Sequence, residues 1–237
     1  MRLCPAEYRI LPEGLGEALT INGKFNRTDR CFLPALTYAK RDTRREMTTE
    51  EDLRYVLRTT QDIVEELATL AQRKRDSEAA PESRDADHAL EVMRVLAIPA
   101  HDGVDEVALH MLKNLLDAGS YEVSLASSGI LASEVISLVS ETEPALLCIA
   151  ALPPGGGAPA RLLCMRLRAR YPELKILVGR WGCTGDVDKM REQFLDAGAT
   201  QFAATLEETC DQIAAWRPLL ADSASARYTA VSATASR

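Results

Sequence analysis

The densest group of side chains that could do chemistry is His101-Asp102-Gly103 with Asp105 and Glu106 close behind. One imidazole and three carboxylates could hold a divalent metal or supply a phospho-acceptor. A receiver-type acceptor site needs an acidic pair after the first strand, an aspartate at the end of the third and a lysine after the fifth. Here the third apolar run ends in Ala150-Ala151-Leu152, so the acceptor is missing. Acidic residues also suit a helix N-terminus, where the aligned peptide dipoles favour negative charge. That simpler account is favoured for this cluster.

A second candidate is Pro153-Pro154-Gly155-Gly156-Gly157. Glycines let backbone amides approach an anion. The Lys-Ser/Thr of a nucleotide-binding loop is missing, however, and the prolines remove donors. A flexible strand-to-helix connection is the favoured account, although the loop still lines an expected ligand mouth. Arg161, Arg166, Arg168 and Arg170 could bind an anion or an acidic partner, but at their spacing they mostly ride the solvated face of one helix, which is the favoured account. Arg180-Trp181 pairs a cation with an aromatic ring. Such a pair suits stacking or a partner surface, and capping of the core by Trp181 is an equal alternative.

The six cysteines form no CxxC pair and no Cys/His ligand spacing, so no zinc site is expected. Cys148 and Cys164 lie in apolar runs and are expected in the core; Cys183 has no activating neighbour in sequence. No Ser-His-Asp or Cys-His constellation is visible, and no metal site or catalytic residue is assigned.

The elements that must position these residues alternate. Apolar runs at Val92–Ile98, Glu122–Leu125, Ala145–Ala151, Lys175–Val178 and Gln201–Ala203 read as strands. Between and after them, helices are expected at Asp105–Leu116 (ended by Gly119), Ala132–Glu141, Ala160–Arg170, Asp186–Asp196 and Leu206–Trp216. In the helix Ala160–Arg170 the inward side chains are taken as Leu162, Leu163, Met165 and Leu167. Strict alternation implies a parallel sheet covered on both faces. The expected fold is α/β: a flavodoxin-like, doubly wound five-stranded sheet of order 2-1-3-4-5. Ligands of such sheets sit at the carboxyl ends of the strands beside the switch point. Those loops are Pro99–Val104, Leu152–Pro159 and Gly179–Gly185, and they define the candidate ligand residues. These are His101, Asp102, Gly103, Asp105, Ala150, Leu152, Pro153, Gly155, Gly179, Arg180 and Trp181.

Upstream, Phe32–Arg45 reads as one helix, with Pro34 in its first turn. A second helix opens on a capping pair, Thr48 and Glu51, and carries Leu53, Val56, Leu57, Thr60, Ile63, Val64, Leu67 and Leu70 on one face. The organisation expected is an irregular lead-in over 1–30, a helical hairpin over 31–72 and a charged linker over 73–90. The α/β domain follows over 91–217, with a disordered tail over 218–237. The hairpin's stripe must be covered by the α/β domain, a second copy or a partner.

A net charge of -7 argues against a nucleic-acid partner. No apolar run of the chain reaches the length of a membrane span, and the first ten residues lack a signal peptide's apolar core. A cytoplasmic protein is expected, placed at the inner face of a cell membrane where a partner holds it there.

From Val92 to about Trp216 the pattern resembles the cobalamin-binding domain of corrinoid proteins. That family carries Asp-x-His-x-x-Gly after the first strand, Ser-x-Leu after the third and a Gly-Gly pair after the fourth. In this chain the first set falls on Gly103, Asp105 and Ala108, the second on Ala150, Ala151 and Leu152, and the pair becomes Gly179-Arg180. His101 lies four residues before the expected histidine. The resemblance implies the frame without the residues that ligate cobalt and admit the nucleotide tail. No cofactor is expected, cobalamin being the alternative.

A closer resemblance rests on Cys148–Pro154 (CIAALPP), Ala160–Gly182 (ARLLCMRLRARYPELKILVGRWG), Leu33–Asp42 (LPALTYAKRD) and Ile63–Leu67 (IVEEL). These runs look like the soluble C-terminal extension, and its linker helices, of bacterial autoinducer-2 exporter-like permeases. The resemblance implies a non-catalytic sensory or regulatory module whose hairpin couples it to a membrane permease or to a second copy of itself. The alternative is a corrinoid carrier that uses no histidine lower ligand. No residues support an enzyme.

Overall fold

The computed structural model describes residues 28–78 and 92–219. A short π-helical turn, Thr28–Phe32, leads into α1 (Leu33–Arg44) and α2 (Glu50–Glu78). Then follow β1 (Met93–Pro99), α3 (Gly103–Leu115), β2 (Tyr121–Leu125), α4 (Ala132–Thr142) and β3 (Leu146–Ala150). The chain continues through α5 (Gly157–Arg170), β4 (Lys175–Gly179), α6 (Val187–Asp196) and β5 (Gln201–Ala203). A last helix, α7, spans 206–219.

All four strand pairings are parallel, in the order β2-β1-β3-β4-β5. The chain is therefore doubly wound and flavodoxin-like, as its alternation predicts. The switch point lies between β1 and β3, where Pro99 is in register with Ala150.

The strands are apolar at nearly every position because both faces are covered. Along β1, Val95 and Ala97 face one layer while Leu96 and Ile98 face the other. The first layer holds α3, α7 and the hairpin: Phe32, Leu33, Leu36 and Val64 share a core cluster with Val104, Ala108, Ile213 and Trp216. The second holds α4, α5 and α6, with Val135, Leu163, Leu167 and Phe194 at its centre. The hairpin therefore packs on the α/β domain and extends one of its two cores.

Several expectations shift in detail. The cap of α2 is Thr49 with Asp52, one residue beyond the expected pair: the Thr49 amide donates to Asp52 Oδ2 at 2.9 Å and the Asp52 amide to Thr49 Oγ1 at 3.1 Å. Helix α2 runs on to Glu78, into the charged stretch read as linker. Residues 79–90 of the linker, the first position (91) of the expected α/β domain, residues 1–27 of the lead-in and 220–237 of the tail lie outside the described residues. Helix α3 begins two residues earlier than expected, capped by Asp102, and closes at Leu116 before Gly119 is reached.

The inward stripe of α5 is Ala160, Leu163, Cys164 and Leu167, not the set expected. Leu162 and Met165 are exposed, because steps of three and four residues from Ala160 pass them by. Arg168 is not simply a solvated side chain: it donates to the carbonyls of Gly198 and Pro172 and to Thr200 Oγ1.

Candidate functional site

The mouth above the switch point is built on one carboxylate. Asp105 stands in the first turn of α3 and is fully buried. Its Oδ2 accepts from the His101 amide at 3.0 Å, and its Oδ1 accepts from the Leu152 amide at 2.8 Å. The side chain thus ties the loop after β1 to the loop after β3.

The third partner comes from the hairpin. Lys40 lies on the apolar stripe of α1, seven residues after Leu33 and four after Leu36, and is 2% exposed. Its ammonium donates to the Leu152 carbonyl at 2.9 Å, and meets Asp102 Oδ2 at 3.0 Å and Asp105 Oδ1 at 3.4 Å. All three donors are used, which a buried ammonium requires. Lys40 therefore fills the place at the strand ends where a ligand of such a sheet would sit.

Asp102 caps α3, its Oδ1 accepting from the Val104 and Asp105 amides at 3.1 and 3.4 Å. Its Oδ2 also meets His101 Nδ1 at 3.0 Å. Burial opposes its charge, but Lys40 and His101 outweigh burial and hold it below the usual carboxylate range. For Asp105 the balance reverses. Burial dominates, and although Lys40 and the Leu152 amide pull the other way, the carboxyl is pushed up to about 6.

The loop after β4 closes the other side. Arg180 Nη1 donates to the carbonyls of Ala151 and Gly155, both at 2.9 Å. Burial lowers the Arg180 guanidinium, and the charge of Arg161 acts in the same direction. Trp181 is fully buried, and its Nε1 donates to Thr209 Oγ1 of α7 at 2.8 Å. Of the two roles open to Trp181, capping the core is the one observed; the ring is not free to stack on a ligand. A Cβ on Gly179 would fall 2.4 to 2.6 Å from indole atoms of Trp181, so only glycine lets the ring pass.

Of the remaining candidates, Ala150 and Leu152 are fully buried, and Leu152 contributes its backbone groups. Gly103 lies under the hairpin: a Cβ there would stand 3.3 Å from Leu57 Cδ1 of α2. Pro153 and Gly155 lie at the rim, with a cis peptide bond between Pro153 and Pro154. Among the described residues no three His, Cys, Asp or Glu side chains are grouped to hold a metal ion. The Cys148 thiol is pushed well up by burial, and that of Cys164 is pushed up to about 12.

The residues present do not fit a corrinoid held through histidine with its tail in the sheet. The indole of Trp181 occupies the space beside Gly179, and Lys40 stands in front of Leu152. His101 is at the rim with its Nδ1 against Asp102.

Lys40 was missed in the sequence. The available signal was a lysine at a helix position where the stripe Leu33, Leu36, Ala39 demands an apolar residue. A cation there needs buried acceptors, and Asp105, on the apolar face of α3 among Val104, Ala108 and Leu109, is the matching anomaly.

No family model and no curated protein matches the chain. Among solved structures, a cobalamin-binding protein from Desulfitobacterium hafniense DCB-2 is similar at 12% identity over 84% of this chain and 85% of its own, with a TM-score of 0.48. The methanol:cobalamin methyltransferase complex MtaBC from Methanosarcina barkeri is similar at 14% identity over 92% of this chain and 86% of that one, with a TM-score of 0.45. A two-component response regulator of the LuxR family from Aurantimonas sp. SI85-9A1 is similar at 18% identity over 54% of this chain and 86% of its own, with a TM-score of 0.40. These are similarities of chain path and extend no further.

Proposed function

We propose that the chain is a non-catalytic regulatory module in which the α1–α2 hairpin is a lid over the mouth of the sheet. A ligand or partner that competes for the mouth would change the hairpin's position. The observation that carries this is Lys40, a side chain of the hairpin, bonded to Leu152 and to both Asp102 and Asp105 at the strand ends. A non-catalytic role is supported by the use of Asp105, Lys40 and Arg180 Nη1 to join backbone segments of the mouth.

The hairpin's partner, on this proposal, is a membrane permease or a second copy of the chain, the two occupants the resemblance suggests. Tyr38, Met47 and Tyr55 are exposed on the hairpin and offer contact area for either. No described helix is long and apolar enough to cross a membrane.

Native-state hydrogen exchange tests the lid. Amides of α1 are expected to open at a lower free energy than those of β1 and β3. Equal opening energies would make the hairpin an inseparable part of the core and overturn the proposal. Hydroxocobalamin mixed with the purified protein is expected to separate from it on gel filtration. A visible band travelling with the protein would favour the corrinoid-carrier alternative instead.

A further inference from the structure

Three arginines from three separate elements converge on the loop between β3 and α5. Arg44 comes from the end of α1, Arg161 from the first turns of α5, and Arg180 from the end of β4. A Cβ on Gly155 would fall 2.6 Å from both terminal nitrogens of Arg44. A Cβ on Gly157 would fall 3.5 Å from Arg180 Nη1 and 3.6 Å from Arg161 Nη1. The guanidinium groups therefore lie against Gly155 and Gly157, two residues apart where the loop enters α5. Among the described residues, none of the three forms an ion pair with a carboxylate.

Like charges do not gather without cause. Cations brought together repel one another, most strongly where water is partly excluded. The lysine of this mouth is neutralised by two aspartates, whereas the arginine group is not. Arg180 is anchored only through Nη1, which leaves the rest of its fork for another acceptor. The start of α5 adds to the positive field, since Gly156 at its N-cap brings no capping side chain.

We propose that Arg44, Arg161 and Arg180 form a binding site for the phosphate group of a small ligand, lying against Gly155–Gly157. Guanidinium forks pair well with tetrahedral oxyanions, and forks approaching from three elements suit an anion with several oxygens. Arg44 belongs to the hairpin, and the other two belong to the α/β domain. A bound phosphate therefore ties lid to sheet and favours the closed form by as much as it binds that form better. This regulatory consequence rests on the lid proposal; the site itself does not.

The probe is inorganic phosphate, compared with sodium chloride at equal ionic strength. Phosphate at 10 mM is expected to raise the melting temperature by about 3–6 °C beyond chloride, given a dissociation constant of about 1 mM. Arg44→Ala, at an exposed residue, and Arg161→Ala, at a half-buried one whose guanidinium also lies 5.8 Å from the Phe194 ring centre, are each expected to weaken phosphate binding about tenfold or more. An equal response to chloride, or a phosphate response that survives both substitutions, would overturn the site. Arg44-dependent co-sedimentation with phosphatidylglycerol vesicles, without a phosphate response, would assign the arginines to a lipid surface and also overturn it. Hydrogen exchange of the hairpin without added anion reads the lid alone, so the two proposals fail separately.

Discussion

Lys40 ties the hairpin to the mouth through three partners, and its removal is the sharpest test of that link. Breaking a buried pair leaves an uncompensated charge, which costs about 3–5 kcal/mol. Lys40→Met is expected to lose that much stability at pH 7.5, read from urea midpoints. It should lose less at pH 5, where Asp105 can take up a proton. The wild-type pH profile follows from the same carboxyl. Its folded value, about 6, is above its ordinary one, so the fold favours the protonated form. The stability it contributes is complete below about pH 4 and is lost as pH rises through 6. The protein is expected to be about 1 kcal/mol more stable at pH 5 than at pH 7.5, and Asp105→Asn to abolish the difference. Asp102 does not offset this, because its depressed value keeps it ionised at both pH values.

Gly179 makes a separate point at this scale. Its side-chain space is occupied by Trp181, so Gly179→Ala forces the indole or β4 to move. Overpacking of a filled core costs about 1–3 kcal/mol, which thermal denaturation of the variant would show. Gly179 was expected among the ligand residues, as the first of an altered glycine pair. The group that comes up against it is the indole two places along the chain. Sequence spacing shows where room is left, not which side chain turns back to fill it.

Among the elements, strands were the most legible, because a parallel sheet buried on both faces leaves nearly continuous apolar runs such as Leu146–Ala150. Helix faces were less so. In α5, apolar and basic residues are interleaved on all sides, and the inward stripe appears only once Ala160 and Cys164 are counted with Leu163 and Leu167. This assignment separates two neighbours. Leu163→Ala is expected to cost about 2–5 kcal/mol, and Leu162→Ala within about 0.5 kcal/mol, by denaturant titration. The boundary of α2 was misplaced for a related reason: Arg73–Glu78 is charged, and charge does not by itself end a helix that lacks a proline or glycine.

Across the whole molecule, alternation implied a parallel sheet, crossover handedness restricted its topology to the few doubly wound orders among which 2-1-3-4-5 was expected, and the switch point set where a ligand was to be sought. What could not be read was that the mouth is already occupied. Lys40 lies 65 residues from Asp105 and 112 from Leu152, and no local pattern links positions so far apart. The amphipathic stripe of the hairpin left three coverings open. The structure shows its α1 residues Leu33 and Leu36 in the same core as α3, while Leu53, Val56, Leu57 and Leu67 of α2 are only partly buried against it.

One carboxylate thus gathers segments around positions 40, 101 and 152 of the chain, and this bears on the order in which the protein assembles. Contacts between such distant segments must meet a loop-closure cost before they reward it, so those of the mouth are expected to form late. Lys40→Met should then leave the refolding limb of a chevron plot nearly unchanged and steepen the loss on the other side, with unfolding accelerated by most of the equilibrium effect. The cation at the mouth would act as a late latch, setting how long the native molecule persists rather than how quickly it is reached.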